Sequence, residues 1–231
     1  MANPTAFLWS LSSSTCVAAI RLAEMGMDVV ACGAYDKIGE MAGTGLSQTD
    51  REIGGTSFWG YQNEFYLRAG DLCGYNDNPN NARRVQIFPS PQAADTIFRE
   101  WLNKYPERTV VSGQQKGKII WRTNAELTGV KMNGNVCEQV TVKGSDGLTT
   151  YDVWDTFDGS DENDLVKAMG LPLRLGRESA FITGEKAGGV TPIQLQSGTR
   201  AYDFATGNRL PWLKPRPRRS ARGEGDSSVM A

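Results

Sequence analysis

The chain has 231 residues, enough for one large domain or two small ones, and its apolar fraction of 39% supports a packed core while lying below the globular average. Lys and Arg (25) nearly balance Asp and Glu (26), and a net charge of −1 leaves no electrostatic footprint for nucleic acid or an acidic surface. Histidine is absent, which removes the commonest general base, the commonest metal ligand and every Ser–His or Cys–His catalytic pair.

The stretch AFLWSLSSSTCVAAIRLAEMGMDVVACG, residues 6–33, reads as an apolar strand, a short polar turn, an amphipathic helix and a second apolar strand, the layout of a nucleotide-binding βαβ unit. Residues 6–9 predict a buried strand. Thr15 to Met25 predict a helix through Val17, Ile20, Leu22, Ala23 and Met25, closed by Gly26. Asp28 to Cys32 predict the next strand. Where such units place glycines, this turn has Ser10, Ser12, Ser13, Ser14 and Thr15, and helix capping by Ser14 or Thr15 needs no ligand. The beginning lacks the basic region of a signal peptide, and SLSSST breaks its apolar run. No run reaches about 18 apolar residues, so no transmembrane helix and a cytoplasmic location are expected.

Residues 33–60 are rich in glycine and punctuated by Ile38, Met41, Leu46, Ile53, Phe58 and Trp59, a pattern that favours a functional segment. A helix is predicted over Gln62 to Leu72, then a loop, CGYNDNPNNARR. SPQAADTIFREWLNKYP predicts the clearest helix of the chain, with Ser90 as N-cap, Pro91 at its first position and Ala94, Ile97, Phe98, Trp101 and Leu102 on one face. Thr109 to Val111 and Lys118 to Trp121 are strand-like. ELTGVKMNGNVCEQVTV predicts a β-hairpin turned at Asn133 and Gly134. TTYDVWDTF predicts one further strand, followed by a short helix, Leu165 to Met169, closed by Gly170. From about Thr191 the chain turns rich in Pro, Gly, Arg and Ser, which predicts a basic tail with no fold of its own.

The cysteines, Cys16, Cys32, Cys73 and Cys137, form no C-x-x-C pair, so free and mostly buried thiols are expected and no zinc or iron–sulfur site. The acidic run Asp155, Asp158, Asp161, Glu162 and Asp164 does not follow the calcium-loop spacing; it predicts a solvated loop and helix N-terminus, with no metal. Arg174 and Arg177 either face an anionic ligand or pair with those carboxylates.

Several segments together resemble one family, the FAD-dependent oxidoreductases with a glutathione-reductase-like FAD domain, whose relatives are often labelled xanthan lyase. AAIRLAEMGMDVV resembles the family's first helix and second strand. IGEMAGTGLSQTD resembles its G-G-M-x-T-G-G-L-x-x-T-D segment, and IGGTS followed by EFY its next loop and helix. SPQAADTIFREWL resembles its E-P-H-V-A-E-x-x-F helix, and DTFDGSDENDLVKAMGLPLRLGRES its F-I-D-A-S-Y-E-G-D-L and G-V-P-Y-x-x-G-R-E-A segments.

The resemblance implies an α/β fold, an incomplete Rossmann-like FAD-binding domain with a helical and β-hairpin insertion: the domain over residues 1–190 with an insertion at about 50–105, and a Pro/Gly/Arg-rich segment over 191–231 that is flexible or part of a missing domain. It implies FAD as cofactor, redox chemistry on a small-molecule or carbohydrate-like substrate, and a chain that is the N-terminal part of the family's length. The cofactor contacts it implies are Ser10, Ser12, Ser14, Thr15, Gly33, Gly39, Met41, Gly43, Leu127, Asp158 and Gly159; no catalytic side chain is named. This sequence departs from the family at several of its positions. Family glycines fall on Ser10, Ser14 and Thr15, further ones on Glu40, Thr44 and Asn163, and Gln92 replaces a histidine. The acid that accepts from the adenosine ribose falls on Gly33, while Asp158 and Asp164 are kept. Restoring glycine at Ser10 and Thr15 is expected to tighten FAD binding.

Three readings stand open. One is a flavoprotein oxidoreductase; another is a non-catalytic homologue with little or no FAD binding. The third, a polysaccharide lyase, rests on a label alone, with no Tyr/Lys/Arg constellation behind it.

Overall fold

The computed structural model describes residues 5–46, 59–75, 85–86 and 88–173. The tail, Arg174, Arg177 and the boundary expected near residue 190 lie outside them. Strand β1 (Thr5–Trp9), helix α1 (Ser13–Glu24) and strand β2 (Asp28–Cys32) form the expected βαβ unit. β1 and β2 run parallel, with Ala6 opposite Val29 and Trp9 opposite Cys32. Both strands are apolar almost throughout because both faces of the sheet are covered.

The helix starts two residues before the expected Thr15. Ser12 is its N-cap and accepts from the Thr15 N–H at 3.4 Å, so neither Ser14 nor Thr15 does the capping. After the β2 loop come the short helix α2 (Met41–Thr44), α3 (Gly60–Leu72) and α4 (Pro91–Leu102). Ser90 caps α4 as its sequence predicts, accepting from the Ala93 N–H at 3.1 Å. Ile97, Phe98, Trp101 and Leu102 turn inward from α4 onto Ala19, Ile20 and Ala23 of α1 and the sheet beneath. Phe65 of α3 stacks on Phe98, with ring centroids 5.1 Å apart.

A hairpin of β3 (Thr109–Val111) and β4 (Gln114–Lys116) precedes β5 (Ile119–Arg122), which pairs parallel with β2. The sequence does not announce β4, because its residues, QQK, carry no apolar pattern. The hairpin predicted at Asn133 is β6 (Glu126–Asn133) and β7 (Val136–Gly144), turned at Gly134 with φ 60°. TTYDVWDTF is not one strand. It divides into β8 (Gly147–Asp152), antiparallel to β7, and β9 (Asp155–Asp158), parallel to β1. The division is made by successive N–H groups: that of Val153 donates to Glu138 O at 2.9 Å in one sheet, and that of Trp154 to Thr5 O at 2.8 Å in the other. Neighbouring N–H groups on an extended chain point opposite ways, so one residue carries the chain between sheets.

The parallel sheet has the order β5-β2-β1-β9, and the antiparallel sheet the order β6-β7-β8. Helices α1 and α4 cover one face of the parallel sheet. Phe7, Trp9, Val30 and Cys32 on its other face pack on Val140 and Val142 of the antiparallel sheet and on Leu165 of α5 (Asp164–Ala168). The architecture is Rossmann-like α/β, with helices, parallel sheet and antiparallel sheet in three layers. No helix of the described residues is long and apolar enough to cross a membrane.

Candidate functional site

In an open α/β sheet, ligands bind beyond the carboxyl ends of the parallel strands. Here that edge carries the β1–α1 turn, the loop after β2 and the end of β9. The turn is tight: Ser10 has φ 77°, a value that favours glycine. The glycine positions of the fingerprint spacing fall on Ser10, Ser12 and Thr15, all buried, and not on Ser14, where the resemblance puts the second, since Ser14 stands exposed in the first turn of α1. Several polar groups of the turn bond to one another. The Ser12 N–H donates to Ser10 Oγ at 3.1 Å, and the Thr15 hydroxyl donates to Ser10 O at 2.8 Å and lies 3.0 Å from Ser12 O. Ser12 Oγ lies 2.9 Å from Ser14 Oγ and 3.1 Å from Thr15 Oγ1.

The loop after β2 lacks the acid, and its place is crowded by Leu11. Gly33 is buried, and a Cβ on it would lie 3.0 Å from the backbone N and the Cγ of Leu11. Further along, the Gly39 N–H donates to Leu11 O at 2.7 Å and so ties this loop to the turn. Asp95 of α4 fixes it from below, accepting from the Ile38 N–H at 2.8 Å and from Arg99 Nε at 3.0 Å. Burial alone would raise the Asp95 carboxyl, but these donors and Lys37 outweigh it and hold the group below its ordinary value. Gly43 is indispensable here, since a Cβ would fall 1.9 Å from Ile38 O.

Glu40 follows. Its φ of 44° and ψ of −116° lie outside the wells open to side chains, and its carboxylate accepts from the Ser10 hydroxyl. Burial pushes its pKa up. The Ser10 bond opposes this, and the nearby charges of Asp161, Asp158 and Asp164 add to the rise. Among the described residues no basic side chain forms an ion pair with Glu40.

At the end of β9, Asp158 is consumed by the fold. One oxygen accepts from the Ser160 N–H and hydroxyl at 2.9 and 2.6 Å, and the other from the Leu165 and Val166 N–H groups at 2.8 and 3.0 Å. It thus caps α5. Gly159 faces the turn, where a Cβ would lie 2.3 Å from Thr15 Cγ2. Asn163 keeps the left-handed backbone, φ 57°, at a family glycine position. Leu127 lines a cleft of about 450 Å³ with Trp9, Ala34, Ala125 and Asp164, whereas the Met41 side chain is exposed.

Ser10, Ser12, Thr15, Gly33, Gly39 and Gly159 therefore converge on one turn. Glu40, which sequence reasoning noted only as a lost glycine, turns out to be in contact with it. A pyrophosphate needs free N–H groups and an uncrowded, non-negative approach. This turn offers a carboxylate on Ser10, three aspartates nearby and no ribose acid. As they stand, its residues do not fit the phosphates of FAD.

The profile of a family described as FAD dependent oxidoreductase matches residues 12–223. No curated protein matches the chain. Among solved structures it is similar to BexE, studied for oxidation during BE-7585A biosynthesis, at 15% identity and a TM-score of 0.44, over 77% of this chain and 36% of that one. It is also similar to CabE, an aromatic hydroxylase from angucycline biosynthesis, at 16% and 0.43, over 77% and 35%. A third is the halogenase PltM in complex with phloroglucinol and FAD, at 12% and 0.36, over 75% and 38%. The chain spans between 35% and 38% of the length of these structures.

Proposed function

We propose, from the premise that this chain belongs to the FAD dependent oxidoreductase family, that it is the FAD-domain portion of such an oxidoreductase and that its cofactor turn is closed in the form described. In this family flavin supplies the redox chemistry, and the protein supplies position and electrostatics. The Rossmann-like fold supports the ancestry. The contact of Glu40 with Ser10 carries the second half of the reading, because it sets a negative charge where the fold receives phosphates.

The alternative, a working flavoprotein acting on a small molecule, is favoured by the intact strand–turn–helix and by the cleft beside it, whose volume lies in the range of ligand pockets. Nucleic acid is not a partner on this reading, given the net charge of −1. A cytoplasmic location agrees with cysteines that are all free, since thiols persist in a reducing compartment.

The visible spectrum of the purified full chain separates the two readings. The expected preparation is colourless, without the flavin bands at about 370 and 450 nm that belong to the cofactor. A yellow protein whose flavin follows it through gel filtration overturns the closed turn and leaves a flavoprotein oxidoreductase.

A further inference from the structure

We propose that the Glu40 carboxylate is a built-in anion of the β1–α1 turn, standing in for the dinucleotide pyrophosphate and keeping nucleotides out. This rests on the family reading above and names the residue responsible.

The first support is connectivity. Ser10 donates to Glu40 through the same Oγ that accepts from the Ser12 N–H at 3.1 Å. The Ser12 N–H, one of the groups leading into α1 that a phosphate oxygen would seek, is thereby spent on Ser10, and Ser10 on Glu40. A carboxylate near a helix N-terminus gains from the same field that would attract a phosphate.

The second is rigidity. Glu40 O accepts from the Gly43 and Thr44 N–H groups at 2.9 and 2.8 Å and from the Thr44 hydroxyl at 2.8 Å. With Ile38 held by Asp95 and Gly39 by Leu11, the residue on which the carboxylate rides is fixed from both sides. A non-glycine residue persists at such a φ and ψ only where the surroundings impose it.

The third is charge. Asp158, Asp161 and Asp164 already raise the cost of negative charge beside Glu40, and an incoming diphosphate would meet all four carboxyl groups. The two glycine replacements act differently. Ser10 and Thr15 add bulk and carry no charge, the Ser10 hydroxyl donating to Glu40 and the Thr15 hydroxyl to Ser10 O.

The test is titration of the full chain, monitored by calorimetry, with FAD, with ADP and with adenosine as the phosphate-free control. The proteins are wild type, Glu40→Gly, Glu40→Gln and Thr15→Gly, each checked by circular dichroism for a native melt. Glu40→Gln keeps the shape and the strain and removes only the charge, so it answers even where Glu40→Gly perturbs the loop. Both Glu40 variants are expected to bind ADP and FAD at least about tenfold tighter than wild type, as removing a close like charge implies, with adenosine unchanged. Thr15→Gly, which restores a glycine without touching the Ser10–Glu40 bond, is expected to gain less than either. Equal binding by wild type and a folded Glu40→Gln, or a larger gain in Thr15→Gly, overturns the proposal. Wild type that arrives with bound flavin defeats the family reading's closed turn. A colourless wild type whose Glu40 variants also bind nothing defeats the Glu40 proposal alone.

Discussion

The Cγ2 methyl of Thr15 lies 2.3 Å from the point that a Cβ on Gly159 would occupy, so helix α1 and the end of β9 share a single methyl-sized space. The family resemblance has glycine at position 15 and alanine at 159. Here the methyl has crossed to the other side, which keeps the volume between helix and strand nearly constant. Gly159→Ala alone should destabilise the protein by about 1–3 kcal/mol through overpacking. Thr15→Gly/Gly159→Ala should recover part of that loss. Urea denaturation of the two single variants and the double variant measures the coupling, and additive effects would show that the space is not shared.

Glu40 and Asn163 both have positive φ at family glycine positions, yet their costs differ. Asn at φ 57° and ψ 46° sits in the left-handed well that it tolerates, whereas Glu40 at 44° and −116° does not. Asn163→Gly should therefore change stability by no more than about 0.5 kcal/mol. Glu40→Gly should stabilise by about 1 kcal/mol, from strain of about 1–3 kcal/mol offset by the lost Ser10 hydrogen bond. Denaturation midpoints at neutral pH decide it; equal effects at the two sites would argue against strain at Glu40.

The two kinds of perturbed carboxyl predict opposite pH behaviour. The Glu40 pKa is raised in the folded state, so its ionised form is a cost that is present above the folded pKa and relieved as the pH falls toward its ordinary value, about 4.3. Glu40→Gln should accordingly be more stable than wild type near pH 7, and the advantage should shrink on acidification toward pH 4.

Asp28 behaves the other way. Burial would raise its carboxyl, but hydrogen bonds from Arg108 and the Lys118 N–H outweigh that and lower it. Its contribution is full above the ordinary aspartate value, about 3.9, and is lost as the pH falls through the lower folded pKa. Asp28→Asn should weaken the fold at pH 7 and cost progressively less below pH 4. Thermal melts of each variant against wild type across this range show the two slopes, and slopes of the same sign would contradict the assigned shifts.

The thiols report on the packing. Cys16 and Cys32 are buried in the βαβ unit, and burial raises both, Cys32 to about 12, while Cys73 is exposed at the end of α3. A disulfide reagent at pH 8 should label Cys73 at once and Cys16 and Cys32 only on unfolding, because the thiolate is the reacting form. Rapid labelling of Cys32 in the native protein would show that the β2 core opens.

Local rules were enough for much of this molecule. Apolar runs marked β1 and β2, and the helical repeat of α4 behind its Ser90 cap marked the helix that supports the sheet, because strands and helices are written in contacts between residues a few positions apart. The ordered series of segments resembling the family carried the fold class. What the sequence by itself left open is decided across the fold. Nothing near Gly33 shows that Leu11 packs tightly against it, and nothing near Glu40 shows that its carboxylate meets Ser10. The division of TTYDVWDTF between two sheets depends on which neighbours Val153 and Trp154 find. The exchange of a methyl between Thr15 and Gly159 requires β9 to lie beside β1. Contacts between residues so far apart in the chain leave no period in the sequence, and only packing of the finished sheet brings the partners within reach of one another.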